Sequence, residues 1–154
     1  MTVEIGQEAP DFELRDQHGQ DLSLSSLRDQ KAVVLMFYPY AFSGVCTHEL
    51  CDIRDNLADF VTDRAQLLAV SCDPMFSLRA FAERDGLNFP LLSDFWPHGE
   101  VSRAYGVFDD ERGCSRRSTF ILDKAGVVRW SVHNAMPQAR SRVEYRRVLE
   151  EIGA

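Results

Sequence analysis

Two cysteines five positions apart, Cys46 and Cys51, are the residues whose type and spacing suggest chemistry most directly. They lie in the stretch YPYAFSGVCTHELC, residues 38–51, which follows a strongly apolar run. The spacing is too wide for the C-x-x-C pair of thiol redox motifs and unusual for paired zinc ligands. The two sulfurs are therefore candidates for metal ligands, for a structural disulfide, or for a reaction that first moves the chain.

Helical geometry restricts how these two sulfurs can interact. In an ideal α-helix, residues five positions apart are separated by about 8.6 Å between Cα atoms. A disulfide requires Cα atoms less than about 7 Å apart. A standing Cys46–Cys51 bond is therefore disfavoured if one helix includes both residues. A catalytic disulfide that forms after the first helical turn unwinds remains plausible, because helix ends fray at low cost.

The position of Cys46 favours a reactive thiol. Residues 31–38 (KAVVLMFY) predict a strand buried on both faces, and apolar residues at three- and four-residue spacings predict an amphipathic helix over 45–61. A turn from a buried strand into a helix is where α/β folds usually place a site. The free N–H groups and the dipole of the helix N-terminus favour an anion, and the thiolate is the nucleophilic form of cysteine. On position alone, a small buried cysteine is an equally good interpretation.

The rest of the chain supplies the elements that would hold this site. The predicted order is a hairpin from 11–14 and 20–24, strand 31–38, helix 45–61, strand 66–72, helix 77–86, a short strand within 88–94, a short helix near 99–105, strands 118–123 and 127–133 joined by a tight turn, and helix 139–152. No repeat or linker-like segment interrupts the sequence. Buried strands that alternate with helices predict a single α/β domain over residues 1–154, with a mixed central sheet flanked by helices.

Composition and charge narrow the classes of function. Apolar residues make up 45% of the 154 residues, as in ordinary globular proteins, and the formal net charge is −7. Such a charge repels a phosphate backbone, so nucleic-acid binding is disfavoured. The N-terminus lacks the pattern of a signal peptide, and the apolar run 32–42 is too short to span a bilayer. We therefore expect a cytoplasmic protein, in which four cysteines indicate metal or thiol chemistry.

Three residues around the first cysteine form a longer pattern. Pro39, Ser43 and Cys46 give P-x-x-x-S-x-x-C directly after the apolar strand, and Arg117 stands just before a predicted strand. This resembles the peroxiredoxin family, whose active-site pattern is P-x-x-x-[TS]-x-x-C with an arginine from a distant strand. The resemblance covers essentially the whole chain, through GQEAPDFEL, VVLMFYP, FPLLSD, AYGV and RSTFILD in order. It implies a thioredoxin-like fold with an N-terminal β-hairpin.

The resemblance implies a role for each residue of the pattern. Cys46 would be the peroxidatic thiolate, which attacks a peroxide oxygen and becomes a sulfenic acid. Arg117 would hold the thiolate and the peroxide oxygens through fixed donors. Ser43 would hydrogen-bond the peroxide, and Pro39 would shield the site from water. Glu49 could face back along the helix and orient Arg117, although a solvated first-turn glutamate is an equally good interpretation.

The second cysteine decides between two versions of the enzyme. The segment CTHELCDIRD looks like the peroxiredoxin Q (bacterioferritin-comigratory) subgroup. This resemblance implies that Cys51 is the resolving cysteine, which forms an intramolecular disulfide with Cys46. It also implies that a thioredoxin-type reductant then reduces the disulfide. The segment SDFWPHGEVSRAYGVF looks like the AhpE-like subgroup. It allows a one-cysteine peroxidase recycled by an external thiol, a glutaredoxin-like protein or a mycothiol-linked partner. Both versions imply hydrogen peroxide or organic hydroperoxides as substrates and no bound cofactor.

The remaining candidate residues are expected to play structural parts. Cys72 ends a predicted buried strand and is expected to be a structural thiol. Cys114 lies in the predicted loop RGCSRR, where we expect an exposed bystander, with an alternative resolver or a glutathionylation target as the other interpretation. Arg116 is expected at the surface. Four histidines are expected to be solvated or structural: His18, His48, His98 and His133.

Two other classes of function are disfavoured. A zinc site at Cys46, His48 and Cys51 lacks the second cysteine pair that structural zinc usually has, so no metal is expected. A thioredoxin-type oxidoreductase would have C-x-x-C and, by the pattern of that family, a proline where Arg117 to Thr119 stand. Phe95 and Trp96 are costly to leave exposed, so they could rim the pocket or pack at the interface of a homodimer.

Overall fold

The computed structural model describes residues 2–134 and 142–154. Its strands are β1 (Glu13–Arg15), β2 (Asp21–Ser23), β3 (Ala32–Phe37), β4 (Ala65–Ser71), β5 (Leu91–Ser93), β6 (Phe108–Asp109), β7 (Cys114–Ser115), β8 (Ser118–Leu122) and β9 (Val128–His133). Its α-helices are α1 (Gly44–Asp55), α2 (Met75–Asp85), α3 (Glu100–Ala104) and α4 (Arg142–Glu151). Two short 3-10 helices cover Leu24–Leu27 and Leu57–Asp59.

A seven-stranded mixed sheet forms the centre of the protein, in the order β2-β1-β5-β4-β3-β8-β9. The inner strands β5, β4 and β3 run parallel to one another, and the remaining neighbours pair antiparallel. β6 and β7 form a separate two-stranded ribbon. The predicted α/β class, the N-terminal hairpin and the hairpin of β8 and β9 are confirmed.

β3 is buried along its whole length because both faces of the sheet are covered. Val34 and Met36 join the apolar cluster beneath α1, α2 and α4, whereas Leu35 and Phe37 join the cluster on the opposite face. α1 packs into the first cluster through residues at helical spacing: Cys46, Leu50 and Ile53. The chain leaves β3 at Phe37 and enters α1 at Gly44, so the sheet fixes where that helix begins.

The ends of β3 and β8 bring distant parts of the chain together. Phe37, the last residue of β3, pairs antiparallel with Ser118, the first residue of β8. It also pairs in parallel register with Val70 of β4. Arg117, one residue before β8, is therefore held beside the turn that leads into α1.

The predicted helix over 45–61 is too long at its C-terminal end. α1 ends at Asp55, because Asn56 leaves the helical conformation (φ −128°, ψ 30°) and donates its side-chain amide to the carbonyl of Asp52. The apolar residues beyond it lie in the 3-10 turn Leu57–Asp59 and the following loop. The spacing of apolar residues does not show such a side-chain hydrogen bond, so it predicted a helix that is too long.

The other helices lie close to their predicted positions. α2 ends where expected, with Gly86 in the left-handed conformation (φ +65°) that a residue with a side chain rarely adopts. The start of the predicted helix 139–152 lies outside the described residues, and α4 covers Arg142–Glu151. Within the described part of the chain, no helix is long and apolar enough to cross a membrane.

Candidate active site

The first turn of α1 holds Cys46 by a capping interaction. Ser43 adopts an extended conformation as the N-cap residue, and its Oγ accepts the backbone N–H of Cys46 at 3.2 Å. Such a hydroxyl satisfies one of the free N–H groups that begin a helix. Cys46 is therefore the third residue of the helix, and it is fully buried.

The loop from β3 to α1 is fixed by the end of the neighbouring parallel strand. Pro39, two residues after the end of β3, is buried. Two residues later, the Ala41 N–H donates to the Asp73 carboxylate at 2.8 Å, and Ser71 Oγ donates to the same carboxylate oxygen at 2.7 Å. The loop that carries Ser43 is thus tied to β4 as well as to β3.

Arg117 extends from the start of β8 to the sulfur of Cys46. Its guanidinium is buried, with 1% of the residue exposed, and Nη2 lies 3.4 Å from Cys46 Sγ. The backbone carbonyl of Arg117 accepts the Asn134 N–H at 2.9 Å, which holds the residue against β9. A fixed cationic donor therefore lies beside a sulfur that is carried by the first turn of α1.

Glu49 provides the counter-charge to Arg117. It lies three residues after Cys46 on the same face of α1, is buried, and forms an ion pair through Oε1 with Arg117 Nη1. One side of the guanidinium therefore meets a carboxylate while the other meets the thiol. The pair holds one side of the guanidinium and so helps to orient Arg117 towards Cys46.

Cys51 lies on the same helix as Cys46 but outside this arrangement. α1 is continuous from Gly44 to Asp55, and both cysteines are free thiols. Cys51 is partly exposed, whereas Cys46 is fully buried. The helix in this form keeps the two sulfurs from bonding, as its geometry predicts.

The structure corrects the expectation that Cys114 lies exposed in a loop. Cys114 is the first residue of β7 and is fully buried, because β7 pairs with β6 and the Tyr40 side chain lies over the ribbon. The Tyr40 hydroxyl donates to the Arg112 carbonyl at 3.0 Å and also contacts the Cys114 thiol. Burial raises the pKa of Cys114 above its ordinary value. This thiol is therefore not poised for attack.

Cys72, the residue directly after β4, is buried in a cluster of polar side chains. Its sulfur lies 3.5 Å from Ser115 Oγ, and the Ser102 hydroxyl bridges Ser115 and the buried Asp94 carboxylate. Burial raises the pKa of Cys72 to about 11. A thiol in this environment stays protonated at neutral pH and acts as a packing group.

Other candidate residues lie away from the Cys46 sulfur or serve the fold. His98 bridges the carbonyls of Phe95 and Gly113, and His133 hydrogen-bonds Ser118 Oγ at 2.8 Å. His48 and Arg116 are exposed. Among residues 2–134 and 142–154, no group of three or more histidine, cysteine, aspartate or glutamate side chains is arranged to hold a metal ion. Phe95 and Trp96 are 44% and 83% exposed.

Several residues around the loop were not predicted from the sequence. Asp73 could have been found, because the carboxyl ends of parallel strands meet at one edge of a sheet and Asp73 follows β4. Tyr40 and Phe42 carry no comparable signal, since their partners come from Arg112 and Arg84, far along the chain. Only the three-dimensional packing shows that they contact these residues.

The arrangement defines a thiol enzyme built on a thioredoxin-like α/β fold. The N–H groups of a helix N-terminus and a fixed guanidinium beside a buried thiol can stabilise negative charge that develops there during a reaction. Residues 5–131 match the AhpC/TSA family, and the chain belongs to this family: it is a peroxiredoxin, a thiol peroxidase.

Known proteins that resemble the chain agree with this assignment. Alkyl hydroperoxide reductase E of Mycobacterium tuberculosis is 46% identical over 129 residues, which cover 84% of each protein. The crystal structure of peroxidoxin BcpB from Mycobacterium tuberculosis matches with a TM-score of 0.86, 32% identity and 99% coverage of both chains. That of AhpC from Enterococcus faecalis matches with a TM-score of 0.87, 30% identity, and coverage of 98% of this chain and 92% of the other.

Proposed function

We propose that this peroxiredoxin reduces hydrogen peroxide and organic hydroperoxides through a Cys46 sulfenic acid that Cys51 resolves as an intramolecular disulfide. A thioredoxin-type dithiol then returns both thiols to the reduced state. The observation that carries the peroxidatic assignment is the 3.4 Å contact between Arg117 Nη2 and Cys46 Sγ in a buried site. The name of the 46% identical relative, alkyl hydroperoxide reductase, supports organic hydroperoxides as substrates.

The first step transfers one oxygen from the peroxide to sulfur. The Cys46 thiolate attacks the terminal oxygen of ROOH, the O–O bond breaks, and the RO⁻ that leaves takes a proton to become ROH. Sulfur is oxidised by two electrons to the sulfenic acid. Arg117 and the N–H groups of the first helical turn stabilise the charge on the reacting oxygens, and Ser43 donates its hydroxyl proton to the peroxide; the contacts of Cys46 with Arg117 and Ser43 support these roles. Pro39, buried beside the loop, limits entry of water.

The second step joins the two cysteines of α1. The Cys51 thiol attacks the Cys46 sulfenic acid, a disulfide forms, and water leaves. This requires the first turn of α1 to unwind, because the intact helix separates the two Cα atoms by about 8.6 Å. Two features support Cys51 over the other cysteines: it is partly exposed on the same helix, whereas Cys72 and Cys114 are buried.

The second candidate function is a one-cysteine peroxidase. The continuous helix from Gly44 to Asp55 favours it, since α1 in this form holds Cys51 away from Cys46. In this version an external thiol, a glutaredoxin-like protein or a mycothiol-linked partner attacks the sulfenic acid directly. We further propose that the chain acts as one domain in a cytoplasmic homodimer, which the exposed Phe95 and Trp96 support.

The mass of the protein after one equivalent of peroxide separates the two versions. Resolution by Cys51 predicts a loss of two hydrogens, with a peptide cross-link between Cys46 and Cys51. The Cys51→Ser variant should instead hold a sulfenic acid at Cys46. If the wild-type protein also holds a stable sulfenic acid, or a mixed disulfide with an added thiol, Cys51 is not the resolving residue.

The reductant is tested by following peroxide-dependent turnover with each candidate in turn. A thioredoxin system should support wild-type turnover and fail with Cys51→Ser, because a thioredoxin-type dithiol acts on the internal disulfide. Equal turnover of both proteins with a glutaredoxin-like or low-molecular-weight thiol would favour the one-cysteine version.

A further inference from the structure

Arg84 of α2 reaches across to the loop and the first turn of α1. Its guanidinium carbon lies 4.7 Å from the centroid of the Phe42 ring and 5.7 Å from that of Phe81. Its Nη2 donates to Thr47 Oγ1 at 3.4 Å. Phe42 is next to the N-cap residue Ser43, and Thr47 follows Cys46, so Arg84 contacts the chain on both sides of the reactive cysteine.

Phe42 needs such a contact to hold its conformation. Its φ angle is +68°, in the left-handed region that residues with a Cβ rarely adopt. Its ring lies 5.1 Å from the Phe81 ring on one helix of the core, yet the residue is 43% exposed. An exposed aromatic residue in a disfavoured conformation stays in place only when neighbours hold it. Phe81 and Arg84 are the neighbours that α2 supplies.

Asp85 is the charged partner of Arg84 within α2. The hydrogen bond to Asp85 raises the pKa of Arg84 above its ordinary value. Asp85 also orients the guanidinium, with Arg84 Nη2 2.8 Å from its carboxylate. Arg84 therefore lies between the loop and the first turn of α1, with its guanidinium oriented by Asp85.

We propose that Arg84 is a positioning residue that keeps the first turn of α1 folded through its contacts with Phe42 and Thr47. In this way it sets the rate at which a thiol can reach and attack the Cys46 sulfenic acid. The contact of Arg84 with Phe42 and Thr47 is called the Arg84 latch below. The part that concerns Cys51 rests on the proposed function, whereas the effect on the first turn of α1 does not.

The latch decides between two fates of the sulfenic acid. In the folded site a second peroxide can oxidise it further to a sulfinic acid. In the opened site a thiol attacks the sulfur, a disulfide forms, and water leaves. A weaker latch raises the opened fraction, so it should speed disulfide formation and protect Cys46 from the second oxidation.

The central test compares Arg84→Gln with Arg79→Gln. Arg79 is the matched control, because it lies on the same helix and its guanidinium carbon lies 5.2 Å from the Phe76 ring, yet its polar contact is with Gln17 rather than α1. Losing a cation–π contact of ordinary strength should raise the first-order rate of disulfide formation by about two- to fivefold. The peroxide concentration that half-converts Cys46 to sulfinic acid should rise by the same factor.

Comparing the rate of the reaction with peroxide and the rate of disulfide formation separates a positioning role from a general loss of structure. In Arg84→Gln the second-order rate with peroxide should change by less than about twofold, because the folded form still dominates. Arg79→Gln should leave both steps at wild-type values. Should Arg84→Gln fold poorly, Phe42→Leu removes the ring from the same contact and carries the same expectation.

A Cys51→Ser background separates this proposal from the proposed function. There the Cys46 sulfenic acid reacts with 2-nitro-5-thiobenzoate, and Arg84→Gln should speed that reaction by the same two- to fivefold. If the wild type forms no Cys46–Cys51 disulfide but this acceleration is seen, the resolving role of Cys51 fails and the latch stands. Unchanged thiol reactivity in this background, or an equal change with Arg79→Gln, would overturn the latch.

Discussion

Cys46 and Cys72 follow neighbouring parallel strands, and both are buried, with 0% and 6% of the residue exposed. Cys46 lies in the first turn of α1, and its sulfur contacts the Arg117 guanidinium. The Cys72 sulfur instead contacts hydroxyl groups that lie beside the Asp94 carboxylate. Burial by itself disfavours a thiolate, and it raises the pKa of Cys72 to about 11. The two buried sulfurs therefore differ in their charged partner and in the helix end rather than in exposure.

The acidic residues beside these thiols differ in the same way. Glu49 is buried against Arg117, so its charge is paired. Asp94 is equally buried but accepts hydrogen bonds from the Val101 and Ser102 backbone and the Ser102 hydroxyl, and burial raises its pKa. One region thus pairs opposite charges beside a thiol, while the other satisfies its polar groups with hydrogen bonds that join β4, α3 and β7.

Exchanging sulfur for oxygen at the two positions gives the largest expected difference. Cys46→Ser removes the nucleophile and should lower peroxide consumption with dithiothreitol by at least about a thousandfold. Cys72→Ser keeps the buried hydrogen bonds and should stay within about twofold of wild type at neutral pH. Retained activity in Cys46→Ser would overturn the assignment of the peroxidatic residue.

Removing the guanidinium tests the partner of Cys46. Arg117→Gln withdraws a fixed cationic donor from the sulfur and the reacting oxygens, and should lower the second-order rate with peroxide by about a hundred- to a thousandfold. Stopped-flow tryptophan fluorescence measures that rate. The adjacent exposed Arg116 is the control, because Arg116→Gln changes the same net charge without touching the site. A similar loss in both variants would mean that long-range charge matters rather than contact.

Breaking the buried pair from its acidic side should appear in stability. Glu49→Ala leaves Arg117 buried without its carboxylate, and the free energy of unfolding should fall by about 3–5 kcal/mol. Urea denaturation at pH 7 measures it. Asp55→Ala, which removes an exposed partner of Arg54 at the other end of α1, should barely move the midpoint. An equally stable Glu49→Ala protein would show that Arg117 does not depend on this pair.

Local sequence patterns predicted most of the fold, because its main elements carry their own signals. β3 appears as an unbroken apolar run, and Gly86 ends α2 as the pattern indicates. The end of α1 was predicted wrongly, since Asn56 stops the helix through a side-chain bond that apolar spacing does not show. The ribbon of β6 and β7 was missed because two-residue strands are too short to give any period.

The sequence predicted those residues of the site that belong to a recognisable sequence pattern. Cys46, Ser43 and Arg117 were singled out from the sequence, and the structure brings them together through the pairing of Phe37 with Ser118. The burial of Cys114 was not predictable, because it depends on Tyr40, a residue distant in sequence that packs over the ribbon. Contacts of this kind arise from tertiary structure and leave no local mark.

Alkaline pH gives the smallest expected effect and tests the Cys72 side of the comparison. The pKa of Cys72 is about 11 in the folded protein, above an ordinary value of 9.0. Between these pH values the unfolded chain loses the thiol proton while the folded chain keeps it. The contribution of this thiol to the free energy of unfolding is therefore fully present below pH 9 and falls as the pH rises toward 11. The loss for this group is up to about 2–3 kcal/mol.

The Cys72→Ser variant has no thiol to ionise at this position. The difference between the unfolding free energies of the wild type and the variant should therefore shift in favour of the variant as the pH rises from 9 to 11. Taking the difference cancels the tyrosines that also titrate there. Parallel curves for the two proteins from pH 8 to 11 would show that the buried thiol contributes nothing to alkaline unfolding.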